Sequence, residues 1–182
     1  MSAVSSIVRH YNAPVLKARA NWRHKDTKSF DKIFIAAYLP LISIQPIIGG
    51  LDGGRYHWTS MPFGLVYLGV LLFALSMALI TWVMVVNPFA ESSVRIQTER
   101  GHTAVTTGPY RFVRHPMYVG IILLFVSSAL IWGSGWALNL AGLLAVLLVW
   151  RTSREDQTLR QELAGYEQYA ARTPYRLLPG VW

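Results

Sequence analysis

Two stretches of the chain hold the residue types that chemistry needs. The first, "QTERGHTAVTTGPYRFVRHPMY", runs from Gln97 to Tyr118, and the second, "WRTSREDQTLRQELAGYEQYAARTPYRLLPGVW", from Trp150 to Trp182. In the first, Pro116 suits the opening turn of a helix, where its missing N–H costs nothing. His115 then stands at the N-terminal end of that helix, beside its partial positive charge. The free N–H groups there suit an anionic or polar ligand. Arg111 and Arg114 add positive charge, and Tyr110 and Tyr118 add aromatic rings. Taken singly, each has an ordinary reading as an interface aromatic or a topology charge. It is the coincidence of histidine, proline and helix start that points to a ligand site. In the second stretch Leu147, Arg151, Glu155, Leu159 and Leu163 recur every four residues, one drifting stripe on a helix. Two readings are open. The two ions point into a shared interior, or they form a surface pair worth about 0.3–0.5 kcal/mol.

The elements that must carry these residues follow from hydropathy. The chain has 182 residues, 53% of them hydrophobic and only 14% charged, which is unusual for a soluble domain. Three uncharged runs stand out: Ile33 to Leu51, Phe63 to Val86, and Pro116 to Trp150. About 20 apolar residues cross a bilayer, so the first two runs predict one span each. The third is too long for one helix and contains "GSG" at Gly133 to Gly135. It predicts a hairpin, 116–132 and 136–150, whose second arm either stays shallow or continues as a helix beyond Trp150. The expected fold is therefore all-α, a polytopic membrane bundle of about four transmembrane helices with a helical hairpin and a cytoplasmic C-terminal helix. The expected organisation is a basic N-terminal segment, 1–32, and a membrane domain, 33–182. Within that domain the loop 87–115 and the tail 151–182 carry the chemistry. Pro40 and Pro46 predict kinks that a bundle accommodates. "GGLDGG" at Gly49 to Gly54 reads as a turn on the outer side.

The formal charge is +8. Lysines and arginines concentrate before Ile33, in the 87–115 loop and after Trp150, while the connection between the first two spans has only Arg55. The positive-inside rule then places both termini and the 87–115 loop in the cytoplasm, which four crossings allow. This corresponds to the inner membrane if the source is bacterial. The charge is thus a topology signal, and nucleic acid is not an expected partner. "MSAVSSIVRHY" lacks the apolar core of a signal peptide, and residues 12–32 are expected along the cytoplasmic surface. With no cysteine, disulfides, zinc-thiolate sites and thiol catalysis are excluded. No HExxH or EF-hand spacing occurs, so no metal is expected.

The pair of motifs "HTAVTTGPYRFVRHPMYVG" and "RTSRED…L…GYEQYA…YRLLPG" resembles the isoprenylcysteine carboxyl methyltransferases and their bacterial relatives. Phospholipid N-methyltransferases share much of this pattern. The resemblance covers Gln97 to Trp182, with Glu155–Asp156 where the family has paired glutamates. It implies an integral membrane methyltransferase that uses S-adenosylmethionine, releases S-adenosylhomocysteine, and acts on a lipophilic or lipidated acceptor. It assigns cofactor binding to Gln97, His102, Thr103, Ala104, Val105, Tyr110, His115, Pro116, Met117, Tyr118 and Glu155. It places Arg151 against the acceptor and makes Arg151 and Glu155 the catalytic pair. The implied roles suit the chemistry. Backbone N–H groups at Thr103 to Val105 match the cofactor's carboxylate, and an aromatic ring can face its sulfonium. Methyl transfer asks mainly for positioning and electrostatics. A carboxylate acceptor is favoured over an amine because it is ionised at neutral pH and needs only an orienting cation. Two other readings compete: a membrane-bound reductase using NADPH, since certain sterol reductases share the Arg-His-Pro element, and a membrane scaffold without enzymatic activity.

Overall fold

The computed structural model describes residues 3–20 and 26–182. The described residues are helical and contain no strand. Six α-helices follow in order: α1 (Ala3–Ala20), α2 (Ser29–Gly49), α3 (Gly64–Val86), α4 (Pro116–Trp132), α5 (Gly135–Glu162) and α6 (Tyr166–Arg172). Three stretches are long and apolar enough to cross a bilayer, Ser29–Tyr56, Gly64–Val86 and Gly135–Glu162, with Pro116–Trp132 a shorter apolar helix. The chain is an integral membrane protein. At 1.5 Å per residue, α4 is roughly 25 Å long and α5 roughly 42 Å. The hairpin is therefore asymmetric. Its second arm continues unbroken past Trp150, lifting Arg151 and Glu155 to the end of the bundle where the 87–115 loop lies.

The bundle closes through small residues. Gly69 and Ser76, seven positions apart on α3, are buried against α4. A side chain at Gly69 would lie 3.0 Å from the Ile131 backbone, and the Ser76 hydroxyl donates to the Gly120 carbonyl at 2.8 Å. In lipid, such close backbone approach replaces the hydrophobic effect as the source of helix association. Gln45 on α2 donates to the carbonyls of Phe125 and Ala137, tying α2 to both arms of the hairpin. The α4–α5 connection turns on Gly133, which caps α4 at φ 64°, and on the Ser134 hydroxyl, which accepts from the Ala137 N–H.

Two expectations change. "GGLDGG" is no turn: Gly50–Tyr56 continues α2 as a π-helical segment. The reason is Asp52. Its buried carboxylate accepts from the Thr59 N–H and hydroxyl, the Ser134 hydroxyl at 2.6 Å and the Trp136 N–H. The widened turn delivers this acid to the α4–α5 connection. The N-terminal segment, whose residues 12–32 are expected along the cytoplasmic surface, also carries a helix packed on the bundle. Residues 3–20 form α1, which bends at Asn12, buries Val8 and Val15 against α3, and donates from Asn12 to the Met84 carbonyl. The remainder of that segment, 21–25, lies outside the described residues.

A Cβ at Gly53 would sit 1.7 Å from the Trp132 carbonyl oxygen, whereas one at Gly54 meets nothing within 4 Å. Gly53→Ala should cost about 1–3 kcal/mol of stability through this overlap, while Gly54→Ala should not. Thermal unfolding of the two purified variants in detergent measures the difference.

Candidate functional site

The site is built where α5 emerges beside the 87–115 loop. The loop is held in shape from within. Asn87 accepts the Phe89 N–H, and Arg95 bridges Glu91, Glu99 and Asp26. It is pinned from outside by Asp31, at the start of α2, which accepts the Val94 N–H at 2.7 Å. Asp31 also faces Arg151, with Oδ1 2.9 Å from Nε. Arg151 in turn donates to the Ser92 carbonyl at 2.9 Å, and its guanidinium lies over the rings of Phe34 and Tyr118. The Arg151–Glu155 stripe therefore does point inward, and the two residues do not pair with each other. Arg151 pairs with Asp31, while Glu155 accepts the Tyr118 hydroxyl.

Adjacent residues on α5 take different partners. Asp156, next to Glu155 and fully buried, collects Arg114 at 2.7 Å, Arg176 at 3.0 Å, Arg160 at 3.3 Å and the Tyr166 hydroxyl at 3.0 Å. His115 Nε2 lies 3.4 Å away. Arg114 also donates to the carbonyls of Thr173 and Pro174, and the Arg114 and His115 N–H groups bond to Tyr175 and Arg176. This hub fixes the start of α4, the end of α5 and the C-terminal segment together.

Two cavities meet above it. The first is lined by Gln97, His102, Thr103, Ala104, Val105, Tyr110, His115, Met117, Tyr118, Arg151 and Glu155, with Asn87, Ser93, Leu159, Tyr166 and Tyr169 among the others. Of the positions expected to bind cofactor, Pro116 alone is absent from this wall; it is buried at the first turn of α4. Gln97 lines the cavity, but its amide is committed to the Phe89 carbonyl and Arg100. The Tyr110 hydroxyl is held by Asn87 at 2.6 Å, and His115 stacks parallel to Tyr118. Burial pushes the Tyr110, Tyr166 and Tyr169 phenols up, so these rings present neutral faces to the cavity. Among the described residues, the N–H groups of Thr103, Ala104 and Val105 donate to nothing, and the buried Ser93 hydroxyl has no partner.

The second cavity is mostly apolar, lined by Phe34, Ile35, Tyr38 and Leu39 of α2, Met117, Tyr118 and Ile121 of α4, Leu148 and Arg151 of α5, and Arg19, Glu91 and Ser92. It runs down the seam where α2, leaning on α5, meets α4 only sparsely. Arg19, Glu91, Met117, Tyr118 and Arg151 belong to both cavities.

Sequence reasoning missed Asp31, Asp156, Glu91 and Arg19. Asp31 had a signal, as a lone acid at the start of an apolar run. Asp156 stood beside a singled-out residue. Arg19 carries no signal in the sequence beyond its positive charge.

Residues 65–164 match the phospholipid methyltransferase family. The chain is also similar to mouse (Mus musculus) Delta(14)-sterol reductase, 31% identical over 99 residues that make up 53% of this chain. The similarity covers only 24% of the reductase.

Two predictions follow from the hub and the loop. Asp156→Asn leaves Arg114 buried without its counter-ion and should destabilise by about 3–5 kcal/mol, seen as a collapse of the thermal midpoint. The His102 ring, packed on Phe89, accepts the Gln97 N–H at Nδ1. Burial pushes its pKa below the usual 6.5. The unfolded chain therefore takes up this proton at a higher pH than the folded one. The stability this group confers is complete above pH 6.5 and is lost as pH falls below it. A pH series of thermal midpoints should show that decline, and His102→Gln should flatten it.

Proposed function

This chain belongs to the phospholipid methyltransferase family, and on that premise we propose that it transfers a methyl group from S-adenosylmethionine to a lipophilic acceptor. The observation that carries the reading is the shared wall. A polar cavity bounded by the loop and an apolar cavity running down the membrane seam meet at Met117, Tyr118 and Arg151. That is the arrangement a reaction needs when one reactant is polar and the other is a lipid.

The residues present fit the cofactor. Three consecutive unclaimed N–H groups, Thr103 to Val105, suit its carboxylate. Among the described residues Glu155 accepts only the Tyr118 hydroxyl, so it has acceptor capacity left for a hydroxyl or amino group. The neutral rings of Tyr110, Tyr166 and Tyr169 offer faces to a cation. When bound, S-adenosylmethionine supplies a methyl group already activated by its positive sulfur, so the protein's part is to position and to exclude water.

On the acceptor side, the apolar walls of α2 and α4 take a hydrocarbon tail, and the cationic end at Arg151 favours a carboxylate over an amine. Arg151 keeps Nη1 clear of its contacts with Asp31 and Ser92, so it can orient the acceptor while bracing the fold. For that reason Arg151→Ala strands the buried Asp31 carboxylate and reports on folding as well as turnover.

Calorimetry of the purified protein with S-adenosylmethionine and, separately, with NADPH tests the proposal. Binding of S-adenosylmethionine alone is expected. Binding of NADPH alone would replace this reading with the reductase one. Glu155→Gln keeps shape and removes charge. It should weaken S-adenosylmethionine by about 1.5–3 kcal/mol, roughly ten- to a hundredfold, with little change in the thermal midpoint of the ligand-free protein.

A further inference from the structure

We propose that the Arg19 guanidinium binds an anionic group on the methyl acceptor and makes the second cavity selective for acidic amphiphiles. The proposal rests on the methyltransferase reading and deepens it. Arg19 sits in the last turn of α1, outside the residues that match the family. It nevertheless reaches the wall common to both cavities.

Its ionic surroundings single it out. At that wall Arg151 faces Asp31, Glu91 is engaged by Arg95 and Arg100, and Glu155 accepts from Tyr118. Arg19 donates from Nη1 to the Ala90 carbonyl at 3.0 Å and, among the described residues, pairs with no carboxylate. Its backbone carbonyl accepts the Ser92 hydroxyl, so the residue is fixed in place. A guanidinium has five N–H donors, and withdrawing it from water without a counter-ion is costly. Burial pushes the Arg19 pKa below its usual value, which records that cost. An anion would offset it.

Position chooses the acceptor as the source of that anion. The rest of the second cavity is hydrocarbon-like, with Phe34, Leu39, Ile121 and Leu148 along it. An amphiphile laid there with its tail in the seam brings its head to Arg19. The cofactor's carboxylate already has the unclaimed N–H groups of Thr103 to Val105. The planar fork of arginine matches carboxylate and phosphate alike, so the shared chemistry is an oxyanion.

The test uses the full chain in phosphatidylcholine nanodiscs and measures binding of laurate, dodecyl phosphate, dodecylamine and dodecanol. Wild type should bind laurate, dodecyl phosphate or both roughly ten- to a hundredfold more tightly than dodecanol. Which anion wins identifies carboxylate or phosphate as the head. Because Arg151 also faces the cavity, Arg19→Gln should reduce the preference about tenfold rather than remove it, Arg19→Lys should keep more of it, and S-adenosylmethionine affinity should change less than anion affinity in both. Equal binding of anion and alcohol by wild type overturns the proposal, as does an anion preference undiminished in Arg19→Gln. A loss of S-adenosylmethionine affinity in Arg19→Gln with the anion preference intact assigns Arg19 to the cofactor instead. Should Arg19→Gln fail to fold, Arg19→Lys decides: an anion preference undiminished from wild type overturns the proposal. Failure of wild type to bind S-adenosylmethionine sinks the methyltransferase reading and is scored separately from these arms.

Discussion

A buried carboxylate among four basic side chains is the constraint on which the site depends. Asp156 has no exposure, and the start of α4, α6 and the C-terminal segment are all referenced to it. Through Arg114 it fixes the loop's exit into α4, through Tyr166 the start of α6, and through Arg176 the C-terminal segment. Its neighbour Glu155 turns away, by the roughly 100° that one helical residue imposes, and enters the cavity instead. One pair of adjacent acids thus divides into a part that holds and a part that is available. The holding part fixes the helix from which the available part projects.

A second clasp does the same for the membrane side. Asp31 and Arg151 join α2 to α5, and both also grip the loop backbone, at Val94 and Ser92. Buried ion pairs of this kind contribute little net stability but are costly to break singly. Their effect here is geometric: they set the width of the seam into which the apolar cavity runs. At the opposite end of the bundle the Asp52 cluster closes the same helices tightly.

What could be read from the sequence were the features written in local order. The long uncharged run with its "GSG" gave the hairpin, and the four-residue stripe from Leu147 to Leu163 gave α5 its continuation beyond Trp150. The expected loop positions other than Pro116 line one cavity because they lie in one segment wrapped around the end of one helix. The partners of Arg151 and Glu155 were not legible. An ion pair between Asp31 and Arg151 leaves no periodic trace when its halves lie on different spans. The π-helical course of Gly50–Tyr56 was hidden for a related reason. Glycines signal a turn locally, and only the distant Ser134 and Trp132 make a wide helical turn the better solution. The packing of α1 on α3 was masked by composition, since its buried positions among the described residues are Val8, Asn12 and Val15.

The common wall of the two cavities has a consequence for how occupancy on one side is felt on the other. Tyr118 holds Glu155 by its hydroxyl and shelters Arg151 under its ring. A molecule that draws Glu155 away from the phenol loosens the ring, and a molecule that presses on the ring alters the acid's hydrogen bonding. The two sites therefore share one free-energy function. By linkage, whatever factor a first occupant applies to the affinity of the second, the second returns to the first. On the proposed reading, the Tyr118 side chain links the occupancy of the polar cavity to that of the apolar one.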